Sequence, residues 1–411
     1  MEAPIVFQDH LPVEATLDRC IKCNNCVSFC PVANVTDLFP GPKYEGPQAA
    51  RFRAPAEESP DHSVDYCSGC RMCNMVCPTG VKIAEINARA RAKMYKDTGV
   101  RSVRNWFVAR PDLLGALGSP AAPVANTMLK LSPVRWMIDK VMKIDQHAAM
   151  PAFSFGTFRG WFTSIKPPFT STRKVVYFHG CSTQHYEPWV GQAAVAVLEH
   201  NGIEVILADQ NCCGLPALSN GLFDTAKDYH CRNVRKLLPW VKQGYDIVGT
   251  STSCTLTLQE EAPELLDLYD EDTRLVSQHT YDIFEYLLML HEKGELNTAF
   301  RPVNKVVPYH PPCQLRAHRM GLPAIEVLSL IPGLAIHRSE AACCGIAGTY
   351  GLKSEKYKIA MAVGQPLFDW VKDENQPLIA CDSETCRWQI SAATGVPSVH
   401  PIALLKEAYG I

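Results

Sequence analysis

The chain has 411 residues, of which 47% are hydrophobic and 20% charged, and its 40 basic and 42 acidic side chains give a formal net charge of −2 at pH 7. This composition excludes a disordered or fibrous protein, and the charge balance predicts no general attraction to nucleic acid. The length predicts two or three domains. Cysteine is the unusual residue, with 18 copies in tight clusters.

The start of the chain lacks the basic segment and apolar core of an export leader, so we expect a protein that stays on the cytoplasmic side. In that reducing compartment, clustered thiols are more often metal ligands than disulfides. The longest uncharged run extends from Leu113 to Leu129 and contains two Pro and two Gly. It is too short and too interrupted to predict a transmembrane helix.

Two runs of cysteines, each with the spacing C-x2-C-x2-C-x3-C-P, occupy the N-terminal region. The runs are Cys20, Cys23, Cys26 and Cys30 before Pro31, and Cys67, Cys70, Cys73 and Cys77 before Pro78. This spacing is typical of proteins with two 4Fe-4S clusters, in which the last cysteine of each run binds the other cluster. Paired zinc sites are a weaker alternative, because zinc sites rarely need four cysteines and a proline in each run.

The crossed pattern predicts two ligand sets for two 4Fe-4S clusters. The first N-terminal set is Cys20, Cys23, Cys26 and Cys77, and the second N-terminal set is Cys30, Cys67, Cys70 and Cys73. Between the runs, the Pro- and Gly-rich stretch from Phe39 to Pro47 predicts a loop. Apolar residues at helical spacing predict a helix from Val81 to Tyr95 that closes a ferredoxin-like domain of α+β or helical type over residues 1–98.

A basic, aromatic-rich connector is predicted over residues 99–173. Ten Lys and Arg against three Asp between Arg101 and Arg173 leave a local excess of +7. Its aromatic residues include Trp106, Phe107, Trp136, Phe153, Phe155, Phe158, Trp161 and Phe162. Two interpretations stay open: a membrane-surface segment, or a helical connector whose aromatic side chains pack on the neighbouring domains.

An internal repeat organises the rest of the chain into units at residues 174–300 and 301–411. Three landmarks recur in the same order and at a nearly constant separation: Cys181 with Cys313, Cys212-Cys213-Gly214 with Cys343-Cys344-Gly345, and Cys254 with Cys386. Short apolar strands alternate with helical segments, which predicts a tandem repeat of α/β domains with mostly parallel sheets. The cysteines are then expected in loops at strand ends, where such sheets present ligands.

Each repeat contains four thiols that the predicted fold brings together. Adjacent cysteines face one centre only through a tight turn, which the following Gly214 and Gly345 favour. The first repeat set is Cys181, Cys212, Cys213 and Cys254, and the second repeat set is Cys313, Cys343, Cys344 and Cys386. We expect one or two further iron–sulfur or zinc centres here. Cys231 and Cys381 lie outside the shared pattern and are interpreted as buried small hydrophobic residues.

These motifs resemble, over nearly the whole chain, the CCG-domain family of heterodisulfide reductases, glycolate oxidase iron–sulfur subunits and lactate-utilisation proteins. Residues 154–159, 342–351 and 384–390 resemble more narrowly the C subunits of anaerobic glycerol-3-phosphate dehydrogenases. In heterodisulfide reductases the last motif is C-x-x-C, and five thiolates hold a noncubane cluster. Here Ser251 and Ser383 replace the first cysteine of that pair, which leaves four thiolates per repeat and favours an ordinary cluster, or a metal in one repeat only.

The resemblance implies a hetero-oligomeric electron-transfer subunit, peripheral to the cytoplasmic side of the membrane. It would carry electrons from a partner flavoprotein that oxidises sn-glycerol 3-phosphate to membrane menaquinone. The sequence has no nucleotide-binding glycine motif or catalytic triad, so we expect neither a flavin or nicotinamide site nor catalytic residues of its own. His179, His185, His310 and His318 are candidate proton carriers, although a hydrogen-bonded core histidine is the simpler interpretation of each.

Two competing functions remain open from the sequence. One is a thiol-disulfide or heterodisulfide reductase that acts at the repeat centres, which the two serines disfavour. The other is a membrane-docking subunit with structural zinc in its C-terminal half. Metal content separates the second from a full relay, since four irons per cluster give about eight irons for the arrangement with zinc and about sixteen for the relay.

Overall fold

The structure is a computed structural model that describes residues 12–53, 61–97 and 103–411. The beginning of the chain, on which the expected lack of an export leader depends, and Arg101 of the basic connector lie outside the described residues. Within the described ranges, every helix falls short of the length and apolar character that crossing a membrane requires.

The N-terminal region consists mainly of loops and short helices, because its two cysteine runs and many prolines interrupt regular structure. Its helices are α1 (Asn25–Ser28), α2 (Met72–Met75) and α3 (Ile83–Asp97). The helix predicted from Val81 to Tyr95 is thus present as α3. The predicted loop from Phe39 to Pro47 is only partly a loop, because a π-helical turn over Tyr44–Gln48 forms around a non-helical Gly46.

The connector is a series of short helices. They are α4 (Val103–Val108), α5 (Pro111–Gly118), α6 (Ala122–Lys130), α7 (Ser132–Met142) and α8 (Phe158–Ser164). A proline stands in the first turn of α5, α6 and α7, where its missing N–H costs no helical hydrogen bond. The run from Leu113 to Leu129 is therefore divided between two helices.

The first repeat forms a four-stranded parallel sheet of order β2-β1-β3-β4. Its strands are β1 (Arg173–Phe178), β2 (Ile203–Ile206), β3 (Asp246–Gly249) and β4 (Thr280–Asp282). Its helices are α9 (Gly180–His185), α10 (Pro188–His200), α11 (Leu215–Ser219), α12 (Phe223–Val241), α13 (Thr252–Leu256), α14 (Ala262–Leu266), α15 (Glu271–Gln278) and α16 (Ile283–Glu292). A π-helical turn over Thr257–Glu261 joins α13 to α14.

The second repeat has the same strand order, β6-β5-β7-β8, and is again all parallel. Its strands are β5 (Lys305–Tyr309), β6 (Leu334–Arg338), β7 (Ile379–Ala380) and β8 (Ser398–Val399). Its helices are α17 (Cys313–Ala317), α18 (Pro323–Leu328), α19 (Ser354–Glu374), α20 (Glu384–Thr394) and α21 (Pro401–Tyr409). The predicted tandem of parallel α/β units is confirmed.

The strand register shows which residues of the two repeats are equivalent. Tyr177 pairs with Val248 in the first sheet, and Tyr309 pairs with Ala380 in the second. Both strands are thus related by the same offset that relates Cys181 to Cys313. One hydrophobic core contains all four of the paired side chains. The two repeats therefore pack against each other through a shared core, which fixes their relative position.

Candidate metal centres

The two N-terminal cysteine runs have the same backbone conformation at equivalent positions. Lys22 and Gly69, which precede the second cysteine of each run, have φ values of 61° and 71°. Asn24 and Arg71, which follow that cysteine, have φ values of 69° and 61°. These left-handed residues turn the chain so that three successive cysteines face one side. The repeated turn explains why two-residue gaps separate the cysteines.

Each predicted N-terminal set surrounds its own cavity, with the crossed partition. One cavity is lined by Cys20, Cys23, Cys26 and Cys77, and the next by Cys30, Cys67, Cys70 and Cys73. In the first set Cys23 is exposed, whereas three thiols of the second set are buried. The first cavity therefore lies nearer to the surface than the second.

Burial and neighbouring thiols raise the pKa values of several cysteines in these sets. Burial raises the pKa of Cys26, and the neighbouring Cys20 and Cys77 raise it further. Burial likewise raises the pKa of Cys30 to about 11. Four thiolates around one small cavity repel one another unless cations lie between them. Metal binding lowers thiol pKa values for this reason.

Backbone N–H groups already point at several of these sulfurs. The N–H of Ala33 donates to Cys30 Sγ at 3.5 Å, and the N–H of Val81 donates to Cys77 Sγ at 3.3 Å. Donors of this kind surround the sulfurs of iron–sulfur clusters and adjust their potentials. The residues present therefore fit a pair of 4Fe-4S clusters.

In both repeats the cysteines follow the carboxyl ends of the first three strands. Cys181 lies in the first turn of α9 after β1, the Cys212-Cys213 pair in the loop after β2, and Cys254 in the first turn of α13 after β3. The second repeat set has the same placement, and Cys313 and Cys386 also lie on helices. The prediction that all these cysteines lie in loops was thus wrong for half of them.

The thiols of each repeat set lie close together. Cys344 Sγ is 3.0 Å from Cys386 Sγ, and the N–H of Gly345 donates to Cys343 Sγ at 3.3 Å. In the first repeat set, the Cys213 thiol lies within hydrogen-bonding reach of Cys212 and Cys254. Gly214 and Gly345 have φ values of 97° and 86°, which produce the tight turn that the adjacent cysteines need.

A single central cavity of about 120 Å³ connects the two repeats with the N-terminal domain. Its lining includes seven repeat cysteines and one N-terminal cysteine: Cys181, Cys213, Cys254, Cys313, Cys343, Cys344, Cys386 and Cys70. Cys70 also lines the cavity of the second N-terminal set. Across the described ranges, no three Cys, His, Asp or Glu side chains converge on one point as the ligands of a single metal ion do.

A buried charge network beside the central cavity was not predicted from the sequence. The Arg71 guanidinium lies 2.5 Å from Glu85 and 2.6 Å from Glu260, and it also contacts Glu264. Burial raises the pKa of Glu261, which lines the cavity, to about 7. No motif marks these residues, since the contacts join segments that are far apart in the chain.

The two serines that replace family cysteines have separate hydrogen-bond partners. The Ser251 hydroxyl donates to Glu384 Oε2 at 3.1 Å, and its oxygen accepts from the N–H of Cys254 at 3.4 Å as the N-cap of α13. Ser383 Oγ lies 3.4 Å from Thr385 Oγ1. The Ser251 oxygen is therefore engaged within the protein.

The four candidate histidines differ in their surroundings. His179 bonds to the Gly180 carbonyl at 2.6 Å, His318 to the Thr252 carbonyl at 3.0 Å, and His185 to Ser119 Oγ at 3.2 Å. Burial lowers the pKa of His179, His310 and His318 to about 4 in each case, so these rings are neutral near pH 7. Neither ring nitrogen of His310 has a hydrogen-bond partner among the described residues.

The sequence matches two families of iron–sulfur protein domains. The 4Fe-4S dicluster domain matches residues 16–81, and the CCG cysteine-rich domain matches residues 175–259 and 307–391. The C subunit of the anaerobic glycerol-3-phosphate dehydrogenase of Escherichia coli K12 is 36% identical over 96% of this chain and 99% of its own length. The chain belongs to this C-subunit family. As a member of that family it is an iron–sulfur subunit of the kind found in dehydrogenase and reductase complexes.

Less similar relatives also match most of this chain. The B subunit of the fumarate reductase (CoM/CoB) of Methanothermobacter marburgensis is 28% identical over 91% of this chain and 67% of its own. The glycolate oxidase iron–sulfur subunit of Escherichia coli K12 is 25% identical over 97% and 95% of the two chains. The resemblance to C subunits and to other CCG-domain proteins is therefore confirmed.

Proposed function

We propose that this C-subunit relative carries electrons from a partner flavoprotein, which oxidises sn-glycerol 3-phosphate, to menaquinone in the membrane. The observation that carries the proposal is the adjacency of the cysteine-lined cavities. Cys70 belongs to the lining of both the second N-terminal cavity and the central cavity, so the two cavities share a wall that contains a thiol. The name of the Escherichia coli relative supports glycerol 3-phosphate as the partner's substrate.

The proposed ligands are the two N-terminal sets for two 4Fe-4S clusters, and the two repeat sets for one further centre each. When bound, such clusters supply one-electron redox chemistry between two-electron flavin and two-electron quinone. The chain's own residues hold the four sites and bury most of their sulfurs. Cys70 and Cys343, for example, lie in one buried hydrophobic cluster with Tyr350 and Ile359.

The partner flavoprotein is proposed to dock over the first N-terminal set. That cavity lies nearer to the surface than the second, and the apolar side chain of Ile21, which lines it, is 64% exposed. Lys22 and Lys43 line the same cavity. An exposed apolar side chain with a few basic groups beside a redox site fits a protein partner in a hetero-oligomer.

The membrane is proposed to contact helices α6 and α7 of the connector. No residue of α7 is buried, and Trp136, Met137 and Val141 are each more than half exposed. Lys130 and Lys140 are exposed beside them. Aromatic and aliphatic side chains flanked by lysines are typical of helices that lie in the membrane interface. We place this contact on the cytoplasmic face, peripheral to the bilayer.

The connector also joins this face to the first repeat set. The N–H of Ser154 donates to the His185 carbonyl at 2.8 Å, and the Tyr186 hydroxyl donates to the Pro111 carbonyl at 2.9 Å. Helix α9, which begins at Gly180, carries both Cys181 and His185. Quinone held at the connector would thus lie beside α9, which carries Cys181 of the first repeat set, with His185 as a candidate imidazole for protons.

The relay is tested with the complex of this chain and its flavoprotein, assembled anaerobically on vesicles that contain a menaquinone analogue. We expect Cys213→Ala and Cys344→Ala each to lose one centre's iron and to stop quinone reduction, while sn-glycerol 3-phosphate still reduces the flavin. Cys231→Ala is the matched control, because its half-buried thiol on α12 belongs to no set. Quinone turnover that survives both changes would remove the repeat sets from the path.

The membrane contact is tested separately by vesicle flotation of the same complex. Burial of a large apolar side chain contributes ~2 kcal/mol, so Trp136→Ser with Val141→Ser should weaken vesicle binding by at least ~10-fold. Val306→Ser is the control, because this residue is also partly exposed but lies on β5. If the wild type, the double variant and Val306→Ser bind vesicles equally, helices α6 and α7 do not contact the membrane.

A further inference from the structure

The two repeats differ at one pair of neighbouring positions beside their cysteine sets. In the first sheet the last pair of β1 and β3 is Phe178 and Gly249. The equivalent residues of the second repeat are His310 and Cys381, one step beyond the Tyr309–Ala380 pair that matches Tyr177 and Val248. The N–H of His310 donates to the Ala380 carbonyl at 3.0 Å, which continues the same pairing.

In the first repeat this pair supplies no donor. Phe178 packs in the hydrophobic cluster that contains the Cys212, Cys213 and Cys254 side chains. A Cβ at Gly249 would lie 2.8 Å from a methyl of Thr255 and 3.3 Å from the Phe178 carbonyl oxygen. The position therefore has no room for a thiol.

In the second repeat the same pair supplies a thiol and an imidazole. Cys381 is fully buried, and its thiol lies within hydrogen-bonding reach of the Cys386 sulfur. Arg387 donates to the carbonyls of Cys381 and Asp382, both at 2.8 Å, which fixes the end of β7. Cys381 is thus held beside a member of the second repeat set by a buried side chain.

His310 is a second, independent observation beside the second repeat set. Its side chain is 0% exposed and lies near both Cys343 and Cys386. Both of its ring nitrogens lack a partner within the part of the chain that the structure describes. A buried imidazole without a partner is costly, and a cluster sulfide or thiolate would accept its N–H.

We propose that Cys381 is a fifth thiolate ligand of the second CCG centre, with His310 as the imidazole that faces the same centre. The inference rests on the proposed iron–sulfur function of the second repeat set. Four thiolates occupy the four iron corners of a cubane, so a fifth requires one iron with two thiolates or a more open cluster. The second centre would then differ in kind from the first, which has four thiols and the engaged Ser251.

The test compares anaerobically purified full-length variants by iron and sulfide content and by EPR spectra. Cys381→Val keeps a buried apolar side chain of similar size, so a packing role alone predicts a wild-type spectrum. Cys344→Ala identifies the signals of the second centre, and Cys231→Ala controls for the loss of a thiol elsewhere. Thermal unfolding of each variant shows that it is folded.

We expect Cys381→Ala and Cys381→Val to change the EPR signal of the second centre or to remove its iron, a loss of up to about four atoms per chain. Cys231→Ala should match the wild type. A wild-type signal in Cys381→Val, together with a lost centre in Cys344→Ala, would overturn the fifth ligand and leave the relay intact. An unchanged iron content in Cys344→Ala would overturn the second centre itself, and the relay with it.

Discussion

The two CCG repeats have the same sheet, the same strand order and the same four cysteines, but their surroundings differ. The first set is bordered by Phe178, Gly249 and a Ser251 hydroxyl that bonds across to Glu384 in the other repeat. The second set is bordered by His310 and Cys381. The duplication thus retained the backbone positions that gather thiols, while substitutions at the adjacent strand ends made the two sites chemically unequal.

The N-terminal domain forms ion pairs with both repeats, but among the described residues its cysteines share a hydrophobic cluster only with cysteines of the second repeat. Lys356 Nζ lies 2.8 Å from Asp65 Oδ2 and donates to the Asp65 carbonyl at 2.6 Å. Cys70 and Cys313 lie in the same hydrophobic cluster. The second repeat set is therefore the one that adjoins the N-terminal clusters, and the first is the one that adjoins the connector.

The largest difference between the repeats is expected at the glycine after each cysteine pair. A Cβ at Gly345 would lie 1.9 Å from the Ala360 carbonyl oxygen in α19, whereas a Cβ at Gly214 would lie 3.3 Å from the Ala226 carbonyl oxygen. Gly345→Ala should cost more than ~4 kcal/mol of unfolding free energy, because helix backbone must move. Gly214→Ala should cost about 1–2 kcal/mol from its left-handed φ.

Thermal unfolding and iron content measure both glycine changes. Iron should be lost from the second centre alone in Gly345→Ala, and Gly214→Ala should retain nearly all of its iron. Equal melting temperatures for the two variants would show that both turns tolerate a Cβ equally, which would contradict the prediction from the Cβ distances.

The caps of the last helix in each repeat predict opposite responses to pH. In the first, the Glu285 carboxylate accepts from the N–H of Asp282 at 3.1 Å, and burial raises its pKa to about 7. In the second, His400 Nδ1 accepts from the N–H of Ile402 at 3.0 Å, and burial lowers its pKa well below its usual value.

The folded state binds the Glu285 proton more tightly than the unfolded chain, so its stabilising contribution is lost as pH rises from about 4.5 to 7. The folded state disfavours protonation of His400, so stability rises with pH up to about 6.5. Between pH 5 and 8, we expect the unfolding free energy of Glu285→Gln to rise by ~2 kcal/mol relative to that of the wild type. His400→Asn should gain relative stability as pH falls. Urea unfolding at several pH values measures both, and parallel curves would contradict the assignment.

The smallest expected effect concerns Ser251 and asks whether the first centre uses oxygen as well as sulfur. Ser251→Ala removes an N-cap and one buried hydrogen bond, which should cost about 1–2 kcal/mol of unfolding free energy. Because the hydroxyl already has protein partners, iron content and EPR of the first centre should stay unchanged. Ser383→Ala is the matched control in the second repeat. Loss of first-centre iron in Ser251→Ala alone would make this oxygen a ligand.

The sequence predicted those features that spacing enforces. The crossed N-terminal sets follow from two cysteine runs of identical spacing, and the tandem parallel sheets follow from a repeat whose landmarks keep a nearly constant separation. The approach of Cys381 to Cys386 was not predicted, because it is set by the turn from β7 into α20 and the equivalent residue, Gly249, carries no side chain. The Arg71 network joins distant segments that no local pattern relates. The four histidines were predicted as one group of candidate proton carriers, but their hydrogen-bond partners differ.

Arg71 directly follows Cys70 and inserts a buried guanidinium between Glu85 of the N-terminal domain and Glu260 of the first repeat. A rotation of the N-terminal domain away from the first repeat would leave a buried charge without its partner. Some redox proteins deliver electrons by swinging a tethered domain from donor to acceptor. This anchor opposes such a rotation here, so in the proposed relay electrons would cross a gap of constant width.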